Sequence, residues 1–539
     1  MNLYPTRATF HVAVAGAAMV AVGVAARASV IVAFGGAVVL AIAAGRAIAH
    51  AAVTRLRSSG FEMQWVAPER LARTSRGQEV TLEVELRNRG TETVRAVGLR
   101  AVASSFLGAR VEPETVDLPG ATGTVVRVTV RPRRIGHWAI HGIALEVRGT
   151  PAGGEGLYEV PLMFLSPFGI EVLPRALAVF LQSPRGGRAR HRADAARSAP
   201  LAGEGDEIRE LREHVPGDPF KRIAWKASAK RGQLVVREME RDEREVVWLV
   251  LDASVELWAG PLGRAPLDEG VDEIASLATR HLARGDRVGL VVTASRVRAW
   301  IPPEGRAAHA TRLAEALTNA SDMVDSDRSE LDEYEIGLRV REHARSLDAR
   351  ALEGVPSSDL DGLAGRAEKL LSGSPFAPRV PHAPTVRERT LRHYLASFGI
   401  EVPPRVDGER ERTDVSIARV LEKLFAERER PTLVHVWAAL PTLEDRMVKA
   451  VRRLRAKRIE VRWSVPPIER SIGPERNASR TDKTSDELVE EAVNEAARRR
   501  ARAMRVRGYR LLRRMAVRAA SRPREAETQE PSEVPARWP

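Results

Sequence analysis

The sequence predicts a multidomain chain: two N-terminal transmembrane helices, then an antiparallel β-sandwich, then an α/β doubly wound domain. Three observations predict it. Two long apolar runs come first, period-two alternation follows from Phe61, and apolar strands alternate with amphipathic helices from Glu245 onward. With 539 residues the chain exceeds one ordinary domain, and a length prior suggests roughly three units.

The runs Phe10–Ala26 and Ala28–Gly45 consist almost wholly of Ala, Val, Ile, Gly and Leu, with Arg27 between them. Each is near the lower limit for crossing a bilayer, about 17–25 residues. A signal peptide has a single shorter apolar core, so the second run favours a membrane hairpin over residues 1–58. Arg7 precedes the first run, and Arg46, Arg55 and Arg57 follow the second. Basic flanks stay on the cytoplasmic side, which places both ends and the soluble domains in the cytoplasm at the cell (inner) membrane.

Residues 61–182 read as the β-sandwich. "QEVTLEVELRNRGTETVRAVGLRAVA" alternates apolar and polar positions around a turn, and "TVVRVTVRP" and "HWAIHGIALEVRG" repeat the pattern. His137 and His141 stand four apart, a metal-like spacing on a helix. On a strand that spacing separates them by about 13 Å, too far for one ion. Residues 183–202 lack apolar periodicity and read as a basic linker.

Residues 203–243 form a Pro-Gly-Asp connector motif. Pro216 and Gly217 set a turn, Asp218 is placed to cap a helix that Pro219 begins, and Gly232 is placed to end it. Trp225 and Ile223 are read as packing residues, and "QLVVREME" as a strand.

Residues 244–320 and 409–522 read as the α/β domain. "EVVWLVLD" has the form of a central parallel strand. The helix and strand patterns after it, through a long basic helix over about 486–520, imply an open sheet covered by helices. Residues 321–408 read as an insertion, whose acidic run "SDMVDSDRSELDEYE" lacks the glycine of a calcium loop and reads as solvated. Residues 523–539 read as a disordered tail.

At "GDEIRELREHVPGDPFKRIAWKASAKRGQLVVREMERDEREVVWLVLDAS" the sequence resembles the domain-of-unknown-function 58 family. The resemblance rests on Arg212, Pro216-Gly217-Asp218, Arg222-Ile223-Ala224-Trp225, Ala229-Lys230 and Asp252-Ala253-Ser254. It implies paired membrane helices, a β-rich region, a domain similar to von Willebrand factor type A, and a non-enzymatic scaffold role beside a MoxR-type AAA+ ATPase. In type A domains Asp-x-Ser-x-Ser, a Thr and a second Asp hold Mg²⁺. Asp252 and Ser254 match, Glu256 stands where the second Ser would, Thr413 could match the Thr, and Ala438, Ala439 and Leu440 stand where the second acid belongs. The implied Mg²⁺ site is degenerate. The alternative is that Asp252 and Ser254 cap the first strand-to-helix turn.

Composition sets other bounds. The chain has no cysteine, which excludes thiol catalysis and disulfides. It has no phosphate loop, nucleophile elbow or His-Glu-x-x-His, which weighs against the alternative of a hydrolase of unknown substrate. A net charge of +14 and the run "ARRRARAMRVRGYRLLRRMAVRAASR" suit anionic lipid or nucleic acid. The run has no aromatic stacking platform, so nucleic acid is the weaker of the two.

Overall fold

The computed structural model describes residues 4–91, 93–147, 158–182, 198–216, 218–242, 245–260, 263, 265–305, 307–347, 350, 352–405, 410–441, 444–466, 485–515 and 517–519. Gly217, most of the expected linker (183–197) and the expected tail (523–539) lie outside the described residues. The chain divides into two compact units: residues 1–182 with 314–408, and residues 183–313 with 409–539.

In the first unit, helices α1 (Arg7–Ala25) and α2 (Ser29–Ser59) form the hairpin. Ala8–Ala25 and Ser29–Ala51 are each long and apolar enough to cross a membrane. Small residues let the two backbones approach: a Cβ on Gly35 would stand 2.8 Å from the Gly16 carbonyl oxygen. Both outer ends of the hairpin join the β-rich region. Before α1, β1 (Tyr4–Pro5) pairs with β10 (Tyr158–Leu173), and after α2 the chain enters β2 (Phe61–Trp65) directly.

The β-rich region has two sheets. One contains β1, β10, β9 (Gly136–Val147), β5 (Val94–Ala103) and β7 (Thr115–Leu118), with β3 (Leu71–Ser75) parallel to β10. The other orders β2, β4 (Val80–Asn88), β8 (Thr122–Val130) and β6 (Arg110–Glu112), all antiparallel. Trp65 on the second sheet stacks on Phe164 of the first, ring centroids 4.1 Å apart. The short helix α3 (Arg175–Gln182) follows β10. His137 and His141 both lie on β9, where strand geometry keeps them from sharing an ion.

Residues 321–408 pack with this unit rather than with the α/β domain they interrupt in sequence. Their helices Glu333–Leu347, Leu360–Leu370 and Val386–Ser397 share a core around Ile336, Leu391 and Tyr394. They meet the β9 sheet through His343 on His141, Phe376 on His137 and Gly399 against Ala139. Cover on both faces explains why Trp138–Leu145 is buried without alternation. The acidic run is solvated only toward its end, where Glu330, Asp332 and Glu335 are exposed. Asp325 is fully buried against Arg379 at 2.7 Å, and Arg392 is buried on Glu388, Ser329 and two carbonyls. Buried charges need such partners.

In the second unit, β11 (Ser198–Glu213) and β12 (Val235–Asp242) pair antiparallel as a two-stranded ribbon. Residues 198–202, expected as linker, are therefore strand. The connector motif is the ribbon's tip, with helix α4 (Trp225–Arg231) between the strands.

The main sheet orders β15 (Val297–Glu304), β14 (Arg287–Thr293), β13 (Val246–Asp252), β16 (Leu433–Trp437), β17 (Glu460–Ser464) and β18 (Arg518–Ala519). All its pairs are parallel except β14–β15. Helix α5 (Pro266–Ala283) packs on β13 and β14, its Gly270 close against the Trp437 ring. On the other face Trp248, Val250, Val434 and Val436 share a core with Ile417 and Leu421 of α6 (Arg410–Ala426), Met447 and Val451 of α7 (Glu444–Ala456) and Leu511 and Leu512 of α8 (Ser485–Arg514). Alternate residues of one strand thus face helices on opposite sides. Helix α8 stops at Arg514, and the expected last turn is instead β18.

Candidate functional site

Two places gather the residues singled out from sequence. The first is the C-terminal edge of the main sheet, where β13 ends at Asp252 between two parallel neighbours. Strand ends of a parallel sheet bring loops together there. Asp252 is fully buried, and its Oδ1 accepts the Ser254 N–H at 3.0 Å, which closes the turn into the short helix Val255–Trp258. The Ala439 N–H approaches its Oδ2 at 3.3 Å.

Thr413 lies inside the first turn of α6, which begins three residues earlier at Arg410. That first turn supplies what sequence reading missed. Arg410 Nη1 donates to Asp252 Oδ2 at 2.6 Å, while its Nε and Nη2 donate to Asp414 Oδ1 at 2.9 and 2.5 Å. Asp414 is fully buried and the Arg410 side chain is 13% exposed. Burial opposes the charge on Arg410, but Asp252 and Asp414 overcome it and hold the guanidinium more firmly protonated than usual. A second buried acid at this edge thus comes from α6, not from the end of β16. Arg410 and Asp414 stand four apart on one helix face, the signal that could have found them.

Glu256 stands exposed on the short helix, yet desolvation pushes its carboxyl up, with Arg410 opposing and Asp252 and Asp414 adding to the rise. Among the described residues, Ser254 Oγ and Thr413 Oγ1 are buried with no hydrogen-bond partner. At the end of β14, Thr293 Oγ1 lies 2.6 Å from Ser416 Oγ of α6.

The sheet's other edge holds a cluster unread from sequence. His281 Nδ1 lies 2.7 Å from Asp286 Oδ2, and ligand atoms of Glu245, His281 and Asp286 all lie within 4.8 Å of one another.

The second place is the ribbon tip. Asp218 does not cap a helix. It forms a two-pronged pair with Arg212 at 2.6 and 2.8 Å and accepts the Val215 N–H at 2.9 Å. The Arg212 bonds, then the Val215 N–H, lower its pKa to about 2. Pro216 lies in the turn thus closed. After Pro219 comes a single 3₁₀ turn, Phe220–Arg222, rather than a continuous helix. Ile223 is buried and bridges Val236 of β12, and Gly232 ends α4 at φ 69°.

Trp225 does not pack: it is 63% exposed and Phe220 is 74% exposed, with Val215 and Leu234 also exposed. Lys221, Lys226, Lys230 and Arg231 are exposed around them, and Arg222 is partly so. An apolar surface of that kind inside a tied-down turn is suited to contact with another protein.

Residues 210–343 match the family described as "Protein of unknown function DUF58". Uncharacterized proteins of Mycobacterium tuberculosis (strain ATCC 25618 / H37Rv) and Mycobacterium bovis are 30% identical over 92 residues, 17% of this chain and 29% of each relative. The chain therefore spans less than a third of the curated relatives it matches. Among solved structures, the ASH / PapD-like domain of human CEP192 is similar at 16% identity and a TM-score of 0.16, over 21% of this chain and 85% of that one. The C. elegans MSP family member WR4 is similar at 8% identity and a TM-score of 0.13, over 21% and 94%.

Proposed function

We propose that this chain is a membrane-anchored, non-enzymatic interaction protein, and that its ribbon tip docks a MoxR-type AAA+ ATPase in the cytoplasm. The observation that carries the reading is the exposure of Phe220 and Trp225 on a turn held by the Arg212–Asp218 pair. Large exposed aromatics beside lysines match the anchors that dominate protein interfaces, and the cations call for an acidic face on the partner.

Anchorage rests on the apolar hairpin. That β1 and β2 enter the same β-rich region supports placing both ends of the hairpin on one side of the inner membrane, and the basic flanks favour the cytoplasm. In this reading the α/β domain is a degenerate type A-like domain that carries the ribbon.

The test is the affinity of the detergent-solubilised chain for a purified MoxR-type ATPase. Phe220→Ala and Trp225→Ala should each weaken binding about tenfold or more, since exposed anchors cost over a kcal/mol at an interface and little in the fold. Wild-type affinity in both variants, with melting unchanged, would remove the ribbon tip from the interface. Turnover of a substrate by the purified chain would favour the hydrolase reading instead.

A further inference from the structure

We propose that Arg410 is the resident cation of the Asp252–Asp414 site: its guanidinium stands in for the divalent ion, so the folded chain takes no Mg²⁺ there. The residues present do not fit the ion in the state the structure shows. Mg²⁺ demands oxygens at about 2.0–2.1 Å in near-octahedral array. The carboxylate it would need first is already committed, Asp252 Oδ1 to the Ser254 N–H and Oδ2 to Arg410 and the Ala439 N–H.

Two fully buried carboxylates require a cation, because an unpaired buried charge is untenable. Arg410 supplies it from the same helix as Asp414, four residues away, and so adds no loss of a free ion's translational freedom. Its fork makes three short contacts with two acids on different elements, β13 and α6. The hydroxyls of Ser254 and Thr413 are the oxygens that remain. Among the described residues both are buried without a hydrogen-bond partner, so they are free to turn to an ion once the guanidinium is gone. Glu256, the other acid among the expected ligands, is exposed on the short helix after β13.

The inference has a second half. Without the guanidinium, the same oxygens become a divalent-cation site. The test uses the full chain in detergent, with thermal melting in EDTA or millimolar Mg²⁺ and Mn²⁺ binding followed by electron paramagnetic resonance. Wild type should melt at one temperature in both buffers and hold no Mn²⁺ that depends on Asp252. Arg410→Ala should melt about 10 °C lower in EDTA, recover at least half of that loss in Mg²⁺, and bind one Mn²⁺ that Asp252→Asn abolishes.

Mn²⁺ binding by wild type that disappears in Asp252→Asn would overturn the proposal, as would Arg410→Ala melting alike with and without the ion. Should Arg410→Ala fail to fold, Arg410→Lys decides, because it keeps a tethered charge without the fork. Exclusion of Mn²⁺ by Arg410→Lys supports the proposal and uptake overturns it.

Discussion

At the ribbon tip the chain leaves two aromatic rings in water, whereas at the sheet edge it buries three charges against one another. Both places are tied by an Arg–Asp pair, yet the pairs do opposite things. Arg212 and Asp218 lie near solvent and fix a turn so that Phe220 and Trp225 stay outside it. Arg410 closes the sheet edge by filling it. The difference teaches that a site read from its ligand types can be satisfied from within, while a motif with no chemistry of its own can be the surface left free for a partner.

The largest expected effect breaks the closed site. Asp414→Ala would leave the guanidinium with one acid, and removing one partner of a buried pair costs about 3–5 kcal/mol. The measurement is chemical denaturation followed by tryptophan fluorescence, to which the buried Trp437 at the end of β16 contributes beside this edge. A loss below about 1 kcal/mol would mean that water reaches the pair and that the sheet edge is as open as the ribbon tip.

A third region sharpens the comparison, because it buries polar groups with no opposite charge. Burial lowers His141 to about 4, with the Gly399 backbone opposing, and burial and then His141 lower His343 to about 3. Both are therefore neutral when folded, and His343 Nδ1 lies 3.0 Å from the Tyr394 hydroxyl. The unfolded chain protonates its histidines near pH 6.5. Stability is thus complete above that value and falls as the pH drops from 6.5 toward 4 for His141 and toward 3 for His343. At about 1.4 kcal/mol per pH unit, His141 alone should cost about 3 kcal/mol by pH 4. His141→Phe should flatten much of that slope in melts from pH 7 to 4, and an unchanged slope would place the acid sensitivity elsewhere.

The regions differed in legibility for physical reasons. Strands β13, β14 and β16 were readable because each is a nearly continuous apolar run between polar helices, and β17 because it alternates. The cover on β9 was not read, although "HWAIHGIALEV" already lacks the polar alternation of a strand with one wet face. Asp252 was found from its motif, but Arg410 and Asp414 needed the helix to begin three residues earlier than its apolar pattern suggests. Asp325 illustrates the same limit, since a run of acids looks solvated until Arg379 and Arg392 are brought to it from more than fifty residues away. Trp225 was expected inside because aromatics usually are, and sequence spacing carries no information on which side of a short helix is left bare.

The smallest expected effect tests the open end of the comparison. Asp218 has its pKa held down to about 2 by Arg212 and the Val215 N–H, against about 3.9 in an unfolded chain. Its folded pKa is depressed, so what it contributes is present above about pH 3.9 and is lost as the pH falls toward 2. A surface pair of this kind, with Arg212 open to solvent, adds little to global stability. Asp218→Asn should therefore leave the melting temperature within about 2 °C, yet speed amide exchange at Val215, whose N–H would lose its charged acceptor. It should also weaken ATPase binding by less than Trp225→Ala does, because the turn that displays the rings loosens while the rings remain. Unchanged exchange at Val215 would mean that the turn is held by Pro216 and Pro219 alone, and the Arg212–Asp218 pair would then have to face the partner itself.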